Sequence, residues 1–260
     1  MTHWNRELEV AVAVARRAGE LALAWQAGIE AESKSDHSPV TAADRECERL
    51  IVETLVAEFP ADGLLGEEGA SKTGTSRRRW IIDPIDGTRD YVRGNPLFAN
   101  LLALEDQGEV VVGVVNLPGL GSLYSAQKGG GAFCNGTPIR PSEKSEIGDS
   151  VLCFSGFPKM RKMPSHDTFL EWAAQFWAVR GLGGAADAMM VCSGQAEIWI
   201  EPSAAPWDFA ALKIMAEESG ASYFNFDGGS TIDAGNCVIC APGWEPHMRA
   251  RLMDGSAPLK

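Results

Sequence analysis

The stretch Trp80-Ile81-Ile82-Asp83-Pro84-Ile85-Asp86-Gly87-Thr88 decides how the rest of the chain is read. Its three leading apolar residues read as a strand. The two aspartates and Gly87 then end that strand, and strand ends are where layered α/β folds place their chemistry. Pro84 fixes its own φ and pushes Asp83 toward an extended backbone. Such a turn can aim both carboxylates and the Ile85 carbonyl at one point. All are oxygen donors, which hard cations such as Mg²⁺ prefer. Gly87 lets the backbone approach a ligand closely. A helical turn starting at Thr88 would face the N–H groups of Gly87 and Thr88 toward an anion. Taken alone, the string reads equally well as an Asp-rich turn capping a strand and a helix.

Three other segments change that balance. Gly66-Glu67-Glu68-Gly69 also ends an apolar run and offers paired carboxylates. Ser38-Pro39-Val40-Thr41-Ala42-Ala43-Asp44 places an acid in the first turn of a helix capped by Thr41, and Pro206-Trp207-Asp208 places another at a helix start. A first-turn aspartate is usually a cap favoured by the helix dipole. Four separated segments that each supply acids are what a multi-metal site requires.

Around these segments the pattern is that of a layered α/β protein with alternating helix and sheet layers. Residues 4–28 carry apolar side chains at helical spacing, and 42–59 read as a second helix ending before Pro60. Apolar runs at 63–66, 80–82, 99–104, 110–115, 122–126 and 131–134 read as strands of one sheet. The second half alternates: strands at 151–154, 178–182, 197–200 and 238–240, and helices at 165–176, 185–192, 206–219 and 245–252. The chain reads as a single domain over 1–260. Its α+β half spans about 1–145 and its α/β half about 146–260, with the polar stretch 141–149 between them.

Composition excludes several classes. The formal net charge of −12 repels the phosphate backbone of nucleic acid, so no nucleic-acid partner is expected. It does not exclude a small phosphorylated substrate, because acids can recruit cations that in turn bind phosphate. Six cysteines scattered over 260 residues do not form a disulfide framework. Cys237-Val238-Ile239-Cys240 has CxxC spacing but lies in an apolar run, where buried free thiols are expected. The first residues lack a signal-peptide pattern, and no uncharged apolar run is long enough to span a bilayer. A cytoplasmic, non-membrane protein is therefore expected.

These motifs, in this order, resemble the inositol monophosphatase family. The matching pieces are Lys34-x-Asp36-x-Ser38-Pro39-Val40-Thr41-x-Ala43-Asp44, Gly66-Glu67-Glu68, Trp80 to Thr88, Gly129-x-Gly131-Ala132-Phe133-x-Asn135-Gly136, and Trp207-Asp208. The resemblance spans essentially the whole chain. It implies an αβαβα sandwich, usually a homodimer, that hydrolyses a small phosphate monoester. It implies two or three Mg²⁺ ions, with Mn²⁺ able to substitute and Li⁺ or Ca²⁺ able to inhibit. Glu67, Asp83 and the Ile85 carbonyl would hold the first ion, and Asp83, Asp86 and Asp208 the second. Glu67 would also face a third, loosely bound ion. Thr88 and Asp44 resemble the family's water-activating pair, and Gly87 and Thr88 its backbone phosphate donors. No histidine falls in these motifs, and surface roles are expected for His3, His37, His166 and His247.

Substrate choice is narrowed by fewer residues. Glu201, seven positions before Asp208, matches the family's acid that contacts substrate hydroxyls or an amine. Tyr91-Val92-Arg93-Gly94-x-Pro96 and Glu201-Pro202 resemble bacterial histidinol-phosphate phosphatases, but those usually carry Gly-Asp where this chain reads Gly183-Gly184. Gly184-Ala185-Ala186 is closer to the inositol monophosphatases, whose contact there is expected from the backbone. Asp187 is a nearby alternative acid. A polyol monophosphate is the favoured reading and histidinol phosphate the runner-up. Fructose 1,6-bisphosphate and 3′-phosphoadenosine 5′-phosphate rank lower, because no basic cluster stands ready for a second phosphate. A non-catalytic regulator that kept the fold ranks last, since such a chain should have lost its metal ligands.

Overall fold

The computed structural model describes residues 4–28, 31–33 and 39–254. Lys34, Asp36 and Ser38 of the first motif, with His3 and His37, lie outside the described residues. The chain opens with α1 (Asn5–Gln26), a short ribbon of β1 (Ala31–Ser33) and β2 (Pro39–Thr41), and α2 (Ala42–Glu58). Thr41 caps α2 as its spacing predicts. Its Oγ1 accepts from the Ala43 and Asp44 amides, and Asp44 Oδ2 accepts from the Thr41 amide at 2.8 Å.

The first sheet is then laid down almost continuously. Its strands are β3 (Gly63–Gly66), β4 (Ser71–Lys72) and β5 (Arg78–Asp86). After the one-turn helix α3 (Thr88–Tyr91) come β6 (Ala99–Asp106), β7 (Glu109–Leu117), β8 (Ser122–Gln127), β9 (Gly131–Cys134) and β10 (Thr137–Pro138). The strand order is β10-β9-β8-β7-β6-β5-β3-β4, antiparallel except where β3 pairs parallel with β5. The expected single sheet is therefore present, with two short edge strands that apolar runs do not reveal.

The remainder supplies β11 (Val151–Phe154), α4 (Phe157–Met160), α5 (Phe169–Ala173), β12 (Ala178–Arg180), α6 (Gly184–Cys192), β13 (Ile198–Glu201), α7 (Pro206–Ser219), β14 (Ser222–Phe224), β15 (Cys237–Cys240) and α8 (Glu245–Asp254). The second sheet has the order β12-β11-β13-β15-β14, parallel across its first three strands. The helix expected over 165–176 is shorter: a 3-10 turn at His166–Thr168 leads into α5. The Thr168 hydroxyl donates to the Ser165 carbonyl, a local bond that competes with regular helix pairing. The strand expected over 178–182 ends at Arg180, before Gly181 and Gly183.

Three apolar layers hold the elements in an αβαβα stack. One joins α1 and α2 to one face of the first sheet through Ala15, Ala18, Ile51, Trp80, Ile82 and Leu102. The next joins the opposite face to α6, α7 and the second sheet through Ile81, Leu101, Val115, Trp199, Leu212 and Ile214. The last covers the outer face of the second sheet with α5 and α8 through Ile198, Ile200, Trp172, Trp244 and Met248. Alternate residues of β5, β6 and β13 enter different layers, the period of two expected of a strand buried on both faces. All six cysteines are free thiols, and Cys237 and Cys240 are buried on β15. Among the described residues no helix is long and apolar enough to cross a membrane.

The seat of α7 on the first sheet depends on Gly113 in β7. A Cβ there would lie 2.3 Å from Ile214 Cγ2 and 3.1 Å from the Ala211 carbonyl. Gly113→Val is therefore expected to cost about 1–3 kcal/mol by overpacking. Urea denaturation checks this, and an unchanged midpoint would show that α7 can shift freely.

Candidate active site

Strand β5 does not end cleanly. Its pairing with β6 runs in register to Asp83, breaks, and resumes at Asp86, so Pro84 and Ile85 sit in a bulge. The bulge is held from below. Asn100 Nδ2 on β6 donates to the Pro84 carbonyl at 2.7 Å, and Asn116 Nδ2 on β7 donates to Asn100 Oδ1 and to the Ala15 carbonyl of α1. Both asparagines are buried, so these bonds are made away from competing water. After the bulge, Gly87 takes φ +84, a left-handed conformation that suits glycine, and a Cβ there would lie 3.0 Å from the Leu97 carbonyl.

One oxygen each from Asp83, Asp86 and Asp208 lie within 4.8 Å of one another. Asp83 is fully buried; Asp86 and Asp208 are partly so. Each keeps one hydrogen bond that fixes its orientation. Asp83 Oδ1 accepts from the Ile85 amide at 3.0 Å, Asp86 Oδ2 from the Ala185 amide at 2.8 Å, and Asp208 Oδ2 from the Ala205 amide at 2.6 Å. The Asp208 bond is also the cap of α7, which Pro206 opens. Asp83 Oδ2 is buried and accepts no hydrogen bond. As a carboxylate it faces Glu67, another acceptor.

The electrostatics follow from that crowding. Burial first, and then the charges of Glu67, Asp86 and Asp208, push the Asp83 carboxyl well above its ordinary range. Burial raises Asp208 to about 7, with the Asp86 charge adding to it. Burial raises Asp86 to about 6, against the Ala185 amide and the Lys159 ammonium, which pull it back. Three desolvated carboxylates, one with an unsatisfied buried oxygen, are a donor set that fits a hard divalent cation. Asp83, Asp86 and Asp208 could hold such an ion, and Glu67 and Ile85 line the same cavity.

A cavity of about 340 Å³ opens over the cluster. Of the residues singled out in the sequence, Glu67, Asp83, Ile85, Asp86, Gly87, Thr88, Gly184, Glu201 and Asp208 all line it. Glu67 sits on its wall outside the tight trio. Its turn is shaped by buried Glu48 of α2, which accepts from the Glu68 and Ala70 amides, both at 2.9 Å. Asp44 lies behind the wall and reaches the cavity through Thr88. The Thr88 hydroxyl is 3.3 Å from Asp44 Oδ1 and 3.1 Å from the Ile85 carbonyl, so its single proton is shared between two acceptors. Burial raises the Asp44 carboxyl, although the Thr41 hydroxyl and amide offset part of this.

The other wall differs from expectation. Asp187, the alternative acid suggested by the sequence, is fully buried and accepts from the Gly183 amide at 2.8 Å. It is not part of the cavity wall. Gly184 presses against Asp86: a Cβ there would lie 2.3 Å from Asp86 Oδ2, and its φ is +55. Glu201 is not a bare carboxylate. Its Oε2 accepts from Ser155 Oγ at 2.5 Å and from Lys159 Nζ at 3.0 Å, and its Oε1 accepts from the Ser203 amide at 2.9 Å. The sequence reading missed Ser155 and Lys159, together with Asn100 and Asn116. The asparagines did leave a signal, as amide side chains inside apolar strands. His166 bonds the Met163 carbonyl and His247 lies by Trp244, both away from the cavity.

Comparison with known proteins agrees with this architecture. Residues 4–254 match the model of the inositol monophosphatase family. The chain is 39% identical over 237 residues to a histidinol-phosphatase of Chlorobaculum parvum, covering 90% of this chain and 92% of the relative. It is 36% identical over 239 residues to an inositol-1-monophosphatase of Mesorhizobium japonicum, covering 89% and 88%. A Thermotoga maritima IMPase superposes with a TM-score of 0.88 at 29% identity, covering 96% of this chain and 98% of that one.

Asn100→Leu leaves the Pro84 carbonyl buried without its donor, at a cost of about 1–3 kcal/mol. Loosened support of a ligand turn typically costs about 10–100-fold in metal affinity or activity. The Mg²⁺ concentration giving half-maximal activity should therefore rise by about tenfold in a protein that still folds. An unchanged Mg²⁺ requirement would separate the asparagine pair from the site.

Proposed function

Because this chain belongs to the inositol monophosphatase family, we propose that it hydrolyses the phosphate monoester of a small polyol, using divalent cations held by its carboxylate cluster. That it is a phosphomonoesterase follows from the family and its relatives. The family is generally Mg²⁺-dependent, and the acidic cluster is suited to such ions. The observation that carries the ion-binding part is the trio Asp83, Asp86 and Asp208, desolvated and within 4.8 Å, with Asp83 Oδ2 unsatisfied.

Mg²⁺ bound there would neutralise the phosphate, acidify a water and stabilise the departing alkoxide. Asp83, Asp86 and Asp208 would anchor the ions, and the Ile85 carbonyl and Glu67 would complete the donor set. Thr88 Oγ1 accepts from the attacking water, and Asp44 Oδ1 receives the proton that the threonine passes on. Its other oxygen is occupied by the Thr41 amide and hydroxyl, so only Oδ1 faces Thr88. Gly87 and Thr88 line the cavity, and their backbone amides would donate to phosphate oxygens. No covalent phosphoenzyme is required.

The choice of a polyol rests on the wall at Gly184. It offers only backbone beside Asp86, its neighbour Asp187 is buried elsewhere, and Glu201 is already bonded by three donors. Hydroxyl groups can share such a wall, whereas an ammonium would find Asp187 and Glu201 already bonded. Histidinol phosphate is the second reading, favoured by the 39% identical relative.

Phosphate release with saturating Mg²⁺ should give a higher kcat/KM for inositol 1-phosphate than for histidinol phosphate, and the reverse order would replace the polyol reading with the second. EDTA should lower turnover by about 1000-fold, corresponding to several kcal/mol of lost charge stabilisation, and Mg²⁺ should restore it. Hydrolysis that survives thorough chelation would contradict the metal-based reaction.

A further inference from the structure

The wall facing the carboxylate cluster carries a cation that no family motif quoted above contains. Lys159 sits on α4, the one-turn helix between β11 and α5, and lines the cavity with Ser155, Glu201, Asp86 and Asp208. Its ammonium donates to Glu201 Oε2 at 3.0 Å. The Glu201 side chain is only 4% exposed and that of Lys159 is 41% exposed. A carboxylate this buried needs a counter-charge, and among the described residues Lys159 supplies it. The pairing does more than balance charge. An ammonium has three donors and only one is used on Glu201. The cavity therefore meets a leaving group with a hydrogen-bond donor and a positive charge where the sequence promised a negative one. The influence of Lys159 reaches the cluster as well, since its charge opposes the upward shifts of Asp86 and Asp208.

We propose that Lys159 is a specificity-determining residue: by covering Glu201 with positive charge it admits uncharged, hydroxyl-bearing leaving groups and disfavours cationic ones such as amino alcohols. The inference rests on monoester hydrolysis at this cavity, as proposed above. An ammonium group entering the cavity would be repelled by Lys159 at short range. A hydroxyl would instead accept from Lys159.

The test compares kcat/KM for inositol 1-phosphate, histidinol phosphate and p-nitrophenyl phosphate with Mg²⁺, in wild type, Lys159→Gln and Lys159→Arg. Glutamine keeps a donor for Glu201 and removes the charge; arginine keeps both. Lys159→Gln should raise the ratio of histidinol phosphate to inositol 1-phosphate by on the order of tenfold, and Lys159→Arg should leave it near the wild-type value. Should Lys159→Gln fold poorly, Glu201→Gln with Lys159 intact should move the ratio the opposite way. A merely structural pairing would lower the thermal midpoint and change all three esters in parallel, and that result would overturn the proposal. The ratio is read relative to wild type, so it tests Lys159 whichever ester wild type prefers. Wild-type protein that cleaves none of the three would overturn the hydrolytic reading and this proposal together.

Discussion

Three carboxylates that cannot all stay ionised side by side set the terms for this structure. Unit charges 4.8 Å apart at an effective dielectric of 20 repel by about 3.5 kcal/mol, so three such pairs amount to about 10 kcal/mol. That is comparable to the whole folding free energy of a domain. The protein nonetheless brings Asp83, Asp86 and Asp208 together and removes water from them. Either protons are taken up, as the raised Asp86 and Asp208 carboxyls near 6 and 7 indicate, or cations are bound. A bound cation would turn mutual repulsion into shared attraction, the outcome that the proposed function requires.

The scaffold enforces the crowding through bonds that serve two purposes. Asp44 and Asp208 are capping residues of α2 and α7, so the hydrogen bonds that start those helices also aim the two acids. Asp86 accepts from the first turn of α6, which ties the end of the first sheet to a helix of the next layer. The bulge carrying Asp83 rests on Asn100 and Asn116, and through them on α1. Layers that look independent in sequence therefore converge on one group of oxygens. Gly184 marks where that convergence is tightest, since no side chain fits beside Asp86.

What the sequence disclosed depended on how locally each feature is encoded. The long strands of the first sheet and helices α2 and α7 were legible because apolar runs, a Thr-x-x-Asp cap and a Pro-initiated turn are local signals. The site acids were legible because four motifs supply them in a recognisable order. Short pieces were not: α4, β14 and the broken helix around Thr168 are set by tertiary packing and side-chain bonds such as Arg251 to Thr168. That is why Lys159 escaped notice and why Glu201 looked free, since the chain brings them together across 42 positions. Asp187 failed as a stand-in acid for a similar reason. Its position on α6 directs it to the Gly183 amide and into the core.

Repulsion within the cluster would be stored in the fold and released by a divalent cation. Thermal unfolding of wild type and Asp83→Asn, with and without Mg²⁺, tests it most directly. Asparagine can still accept from the Ile85 amide, while its amide nitrogen offers Glu67 a donor in place of a like charge. The metal-free variant should therefore be more stable than metal-free wild type. Mg²⁺ at about 100 times its dissociation constant should stabilise wild type by about 2.7 kcal/mol, a rise in midpoint of about 5–10 °C, and should leave the variant almost unmoved. A metal-free Asp83→Asn protein that is less stable than wild type, yet gains as much from Mg²⁺, would contradict the account.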